Sequence, residues 1–228
     1  MKLVTRVSVA DELQRSWYGP NPRVPWWTRP LAVFYACAIG VRRTMYRHGW
    51  LRSERLPLPV VVVGNIVAGG AGKTPLVIAM VEALSARGLK AGVVSRGYGG
   101  NARSPRLLDA NPDPAAVGDE PALIRLRTGV LVAVGADRPS AARLLLDQGV
   151  DVIIADDGLQ HYALARDTEV CVVDGARRFG NGRLLPAGPL REPVSRLREV
   201  DFVVCNGGEP QDREIPMRLA LREAVSLV

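Results

Sequence analysis

The chain has 228 residues, 47% of them apolar, enough for one large α/β domain or one domain plus an appendage around a sizeable core. Its three cysteines, Cys37, Cys171 and Cys205, are far apart and away from any histidine cluster, which argues against a disulfide framework or a zinc site and for small core residues in a reducing compartment. The net charge of +7 is confined to one end: residues 1–59 hold ten Lys/Arg against three Asp/Glu, whereas residues 60–228 hold twenty of each. A neutral body argues against a nucleic-acid-binding face, and the basic N-terminal segment needs its own explanation.

That segment also concentrates the aromatics, with all four tryptophans (Trp17, Trp26, Trp27 and Trp50) inside it. From Leu31 to Met45, the residues Leu31, Phe34, Tyr35, Ala38, Val41 and Met45 fall at helical spacing, Pro30 suits a first turn, and Arg42, Arg43 and Arg47 follow. The uninterrupted apolar run from Leu31 to Val41 is 11 residues, against roughly 20 for a bilayer span. It starts too late and lacks the cleavage site of a signal peptide. The spacing predicts an amphipathic helix lying in the membrane interface, its stripe at the acyl boundary and its arginines on anionic lipid. The alternative is a helix packed on the protein's own core or on a partner.

Leu58 to Val63 reads as a buried parallel strand, and Gly64-Asn65-Ile66-Val67-Ala68-Gly69-Gly70-Ala71-Gly72-Lys73-Thr74 follows it directly. Pro75 and a helical apolar pattern (Leu76, Ile78, Ala79, Val81, Leu84) come next, with Gly88 as the stop. A strand, a glycine loop, Lys-Thr and a helix make a P-loop. Glycines let backbone N–H groups of Val67 to Thr74 face phosphate oxygens, the helix N-terminus adds a positive dipole end, Lys73 reaches the β- and γ-phosphates, and the Thr74 hydroxyl suits Mg²⁺. One position departs from the pattern: Val67 stands where the first glycine is usual, and Gly69 and Gly70 supply the flexibility.

Further strands are expected at Ala91–Ser95, Val130–Val134, Val152–Ala155, Val170–Val173 and Phe202–Cys205, with a helix over residues 137–148. The fold class is therefore P-loop NTPase-like α/β, a doubly wound, mostly parallel sheet. An acid after four apolar strand residues is the usual second magnesium holder in such proteins; Asp156 and Asp157 both qualify, against the plainer reading of a turn-forming Asp-Asp-Gly.

With these residues in place the sequence resembles the tetraacyldisaccharide 4′-kinase family, the lipid A 4′-kinases. The carrying segments are Val60-Val-Val-Val-Gly-Asn65, Gly69-Gly-Ala-Gly-Lys-Thr-Pro75, Ser95-Arg-Gly-Tyr98, Gly118-Asp-Glu-Pro121, Asp156-Asp-Gly-Leu-Gln-His161 and Leu185-Pro-Ala-Gly-Pro-Leu-Arg-Glu-Pro193. They occur in the family's order. The resemblance implies a kinase that moves the γ-phosphate of ATP, with Mg²⁺, to the 4′-hydroxyl of a tetraacylated glucosamine disaccharide 1-phosphate, giving lipid IVA. It also implies peripheral attachment at the cytoplasmic face of the bacterial inner membrane. In its terms residues 1–57 are a membrane-associating segment and 58–228 a P-loop kinase core, with a lipid disaccharide and an anionic membrane surface as partners and no nucleic acid.

By the same resemblance Asp119 is the base for the sugar hydroxyl, Glu120 stands near the metal with Thr74 and Asp156, and Asp157 serves the transfer. His161 tunes the site or merely caps a turn. Arg96 and Arg191 contact phosphate or are surface arginines. Asp119-Glu120-Pro121 also reads simply as a helix start, with acids at the positive dipole end.

The family continues into a second lobe with Phe-Pro-Asp-His-type and Thr-Glu-Lys-Asp motifs that do not occur in these 228 residues, so the chain as given is expected to bind ATP and to transfer phosphate poorly or not at all, which leaves a catalytically incomplete nucleotide-binding fragment as one alternative. A membrane-docked ATPase switch is the rival reading, yet the second loop lysine of that class is Ala68 here. A GTPase is disfavoured because Asn206-Gly-Gly follows the last expected strand in place of Asn-Lys-x-Asp.

Overall fold

The computed structural model describes residues 9–19, 24–98 and 104–220. The expected regions 1–57 and 58–228 therefore include residues 1–8, 20–23, 99–103 and 221–228, which lie outside the described residues.

Eight strands form one sheet in the order β3-β4-β2-β5-β1-β6-β7-β8. They are β1 (Val60–Gly64), β2 (Ala91–Ser95), β3 (Arg106–Leu107), β4 (Leu131–Val134), β5 (Val152–Asp156), β6 (Thr168–Asp174), β7 (Phe202–Asn206) and β8 (Glu214–Met217). Every pairing is parallel except β3 with β4. The central strands are apolar on both faces because both faces are covered, as a parallel sheet requires. On one face α3 (Lys73–Ser85) and α5 (Asp119–Thr128) bring Val77, Val81 and Ile124 onto Val63, Val93 and Val132. On the other, α6 (Arg138–Arg143) brings Ala141 and Ala142 beside Leu159, Leu164 and Leu190.

The expected elements are present with shifted ends. The single helix over 137–148 is instead α6 followed by a 3₁₀ turn, Leu146–Gln148, a common tightening at helix C-termini. Gly88, at φ +79°, ends the helix after the phosphate loop, where Leu89 N–H reaches back to Leu84. β3 and β8 were not expected; one is two residues long and the other carries Pro216 on a sheet edge, where a missing N–H costs nothing.

The N-terminal helix α2 (Thr28–Arg47) lies against the core along one side only. Tyr35 and Arg43 face inward. Trp26, Trp27, Leu31, Val33, Phe34 and Val41 are exposed, Phe34 at 74%. A shorter helix, α1 (Val9–Tyr18), is fastened by Trp17, whose indole N–H donates to the Pro186 carbonyl at 3.1 Å. No helix among the described residues is long and apolar enough to cross a membrane.

Candidate functional site

Parallel strands end together, so the residues that follow them meet at one rim of the sheet. β1 runs into the glycine loop, and its neighbour β5, in register Val63 with Asp156, delivers Asp156 and Asp157 beside that loop. The rim holds a cleft of about 600 Å³ whose wall includes Gly69, Gly70, Lys73, Arg96, Glu120 and Asp157, with Arg138, His161 and Arg191 completing it.

The loop's departure from the usual pattern has a structural reason. Val67 forms an antiparallel bridge with Leu190, and Ala68 N–H donates to Pro189 O at 2.8 Å. A residue in extended pairing needs no glycine. The left-handed turns come later, at Gly69 (φ +105°) and Gly72 (φ +91°), and a Cβ on Gly72 would collide with the Asn206 side chain. Asn206 in turn donates to Ala71 O at 3.1 Å, tying the end of β7 to the loop. Ala71 and Thr74 are buried, Thr74 as the second residue of α3.

Lys73, 7% exposed, places Nζ 3.4 Å from Asn65 Oδ1 and 3.6 Å from Asp157 Oδ1. Arg191 Nη1 donates to both oxygens of Asp157, at 3.1 and 3.2 Å. Asp157 sits at φ +49°, an uncommon backbone state for a residue with a side chain. Burial pulls its carboxyl upward, but Lys73 and Arg191 outweigh burial and hold it below the usual carboxylate range.

Asp156 is the opposite case. It is fully buried, and neither carboxyl oxygen has a hydrogen-bond partner among the described residues. Burial first, then the charge of Glu120, pushes it up to about 7. Two adjacent aspartates with opposite shifts are suited to different tasks. A buried carboxylate with both oxygens unclaimed among the described residues, close enough to Glu120 to feel its charge, offers oxygen donors of the kind a hard divalent cation such as Mg²⁺ takes.

Asp119 opens α5 directly after Gly118, whose φ of +94° and close approach to Tyr98 O leave no room for a side chain. Asp119 and Glu120 are both exposed; Glu120 contributes to the cleft wall and Asp119 lies one residue before it at the helix start. His161 lines the cleft, and burial followed by the charges of Arg138 and Arg96 lowers it to about 4, so it is neutral at neutral pH.

Three residues of the site escaped the sequence reading. Arg138 is 1% exposed, donates from Nη2 to Asp156 O at 2.9 Å, and has no partner for Nε or Nη1 among the described residues. Burial lowers it to about 10, which leaves it cationic. Its signal was available: a charged residue shortly after the apolar strand β4 follows the same logic as Asp156 after β5. Asn65, fully buried, donates to Gly69 O at 3.2 Å, and Gln160 Nε2 donates to Asn65 O at 3.1 Å. Neutral amides carry no charge pattern that would have marked them.

Comparison with known proteins decides the family. The model of the tetraacyldisaccharide-1-P 4′-kinase family matches residues 24–226. The chain belongs to this family. It is 58% identical over 209 residues to the tetraacyldisaccharide 4′-kinase of Aeromonas hydrophila, which covers 91% of this chain and 62% of that protein. It is 54% identical over 202 residues to that of Xanthomonas campestris, covering 88% and 57%. The chain thus spans about 60% of the length of these curated relatives. Among solved structures it is similar to LpxK from Aquifex aeolicus in complex with ATP, with 31% identity, a TM-score of 0.73, and 83% of this chain and 62% of that one covered.

Proposed function

We propose that this chain carries the nucleotide half of an ATP-dependent lipid kinase, which moves the γ-phosphate to the 4′-hydroxyl of a tetraacylated glucosamine disaccharide 1-phosphate. The observation that carries the reading is the meeting of Lys73 and Asp157 on one cleft beside the glycine loop, with the partnerless Asp156 buried next to Asp157. The relatives' names and the ATP in the similar solved structure support the same reading.

Phosphoryl transfer asks mainly for positioning and charge neutralisation. The loop's N–H groups and the start of α3 receive the phosphates, and Lys73 exchanges Asp157 for the β- and γ-oxygens. Thr74, Asp156 and Glu120 would hold Mg²⁺, which when bound would help to neutralise the triphosphate. Arg191 and Arg96 flank the transferred group, and Arg138 adds a buried positive charge behind Asp156. Asp119 takes the proton of the sugar hydroxyl as the new O–P bond forms and the bond from the γ-phosphorus to the β,γ-bridging oxygen breaks, leaving ADP. Neutral His161 tunes the field of the site.

The exposed apolar face of α2, with Trp26 and Trp27 at its start, supports peripheral attachment to an anionic bilayer, and a lipid substrate is consistent with that bilayer being the cytoplasmic face of the bacterial inner membrane. The test is transfer of labelled γ-phosphate from ATP to a tetraacyl disaccharide 1-phosphate. The account expects at most slow formation of labelled lipid by this nucleotide half, dependent on Mg²⁺ and on Lys73, and faster formation once the family's second lobe is joined to it; label released only as inorganic phosphate by both would point to an ATPase.

A further inference from the structure

Helix α2 touches the body at the residues that hold the phosphate loop. Tyr35 Oη donates to Arg191 O at 3.1 Å, and the Arg191 side chain holds Asp157. Arg42 Nη1 donates to Gln160 O at 3.1 Å. Arg43 Nε lies 3.7 Å from Glu192 Oε1. Glu192 is 2% exposed and accepts hydrogen bonds from Tyr162 Oη and, at 3.0 Å, from Gln160 Nε2. The same Gln160 amide group reaches Asn65 O, and the Asn65 side chain bonds Gly69 O and Lys73 Nζ. Within the body, a chain of polar contacts runs from the inner face of α2 through Glu192, Gln160 and Asn65 to the phosphate-binding lysine. The outer face of the same helix is apolar and exposed.

We propose that Glu192 is a positioning residue that couples α2 to the phosphate loop, so that seating the outer face of α2 on an anionic lipid surface tightens nucleotide binding. The coupling rests on the reading of the cleft as a nucleotide site. A surface that fixes α2 restricts Tyr35, Arg42 and Arg43 together, and through them the backbone of Arg191 and Gln160 and the carboxylate of Glu192. A buried carboxylate shared by two elements transmits such a restriction because leaving any of its partners unpaired is costly. Linkage is reciprocal, so bound nucleotide must raise the affinity for lipid by the same factor.

The test measures ATP affinity of the full chain with Mg²⁺, with and without vesicles of phosphatidylethanolamine and phosphatidylglycerol, alongside vesicle binding with and without ATP. Couplings of this kind are typically about 5–150-fold, and a gain of about tenfold on vesicles is expected for the unaltered chain. Arg43, expected from sequence to face lipid, is instead turned onto Glu192 and Glu199 in the body, so Glu192→Gln and Arg43→Met should each still bind vesicles and lose the gain, with the double variant no worse than either, and thermal unfolding confirms that each is folded. Arg43→Met keeps the test open should Glu192→Gln fail to fold. Equal ATP affinity with and without vesicles in an unaltered chain that binds both overturns the coupling and leaves the cleft reading intact, as does a full gain retained by both variants. Vesicle binding with no ATP binding at all overturns the cleft reading and the coupling with it.

Discussion

Lys73 Nζ lies 3.6 Å from Asp157 Oδ1, so the lysine proposed to receive a triphosphate is already held by the carboxylate that follows the neighbouring strand. Asp157 is shared with Arg191, and the three form one cation–anion–cation cluster at the mouth of the cleft. On the proposed reading, phosphate and Asp157 compete for the same two cations. Asp157→Asn should leave Lys73 and Arg191 without a counter-charge, destabilising the free protein by roughly 1–3 kcal/mol. It should also tighten binding of Mg²⁺-free pyrophosphate. Urea unfolding and calorimetric titration check the two halves; weaker pyrophosphate binding would mean that Asp157 does not oppose the anion.

Asp156 makes the converse case. Its buried, unpartnered carboxylate costs stability in the free protein, and a neutral amide of the same shape removes that cost. Asp156→Asn should raise the thermal midpoint and abolish the Mg²⁺ dependence of ATP binding. A lowered midpoint with Mg²⁺ dependence intact would show that the carboxylate is satisfied by something other than a cation.

Asp119→Asn keeps the shape of the α5 start and its hydrogen-bonding capacity but loses basicity. Turnover in the lipid kinase assay should fall sharply while ATP affinity stays within a few-fold. Collapse of affinity would instead make Asp119 a nucleotide or metal holder.

The outer face of α2 can be tested without disturbing its inner one. Deleting residues 1–52 would also remove Tyr35 and Arg43, which bond Arg191 and Glu199 in the body. Phe34→Glu and Val41→Glu touch exposed positions only and should weaken binding to anionic vesicles with little change in the unfolding midpoint. High salt should weaken binding by the unaltered chain without abolishing it, because apolar burial is not screened. Vesicle binding unchanged in both variants would remove the case for this face.

His161 gives a pH test. Its folded-state value, lowered from 6.5 to about 4 by burial and then by Arg138 and Arg96, means that the unfolded chain takes up its proton first as pH falls. Stability contributed by the neutral imidazole is present above 6.5 and is lost progressively down to about 4. His161→Asn should unfold with a smaller difference in urea midpoint between pH 7 and pH 5 than the unaltered chain. An identical difference would mean that His161 is not held neutral.

The phosphate loop and the parallel core were legible because each depends on local signals: the β-branched run at Val60–Val63, the glycines before Lys73, the stop at Gly88. The tightening of α6 into a 3₁₀ turn and the edge strand β8 were not, since both are set by packing rather than by propensity. The apolar residues of α2 were visible as a stripe, yet only the structure shows that Tyr35 turns inward while Phe34 and Val41 stay exposed. Glu192 escaped for the same reason: a buried charge is identified by its partners, and Gln160 lies 32 residues away.

The most direct test of the account is calorimetric titration of the chain with ATP, with and without Mg²⁺, beside Lys73→Ala. The account predicts ATP binding that strengthens with Mg²⁺ and weakens by roughly 10–10² when Lys73 is removed, the scale of losing a hydrogen bond to a charged group. ATP binding of equal strength in Lys73→Ala, or none by the unaltered chain, would contradict it.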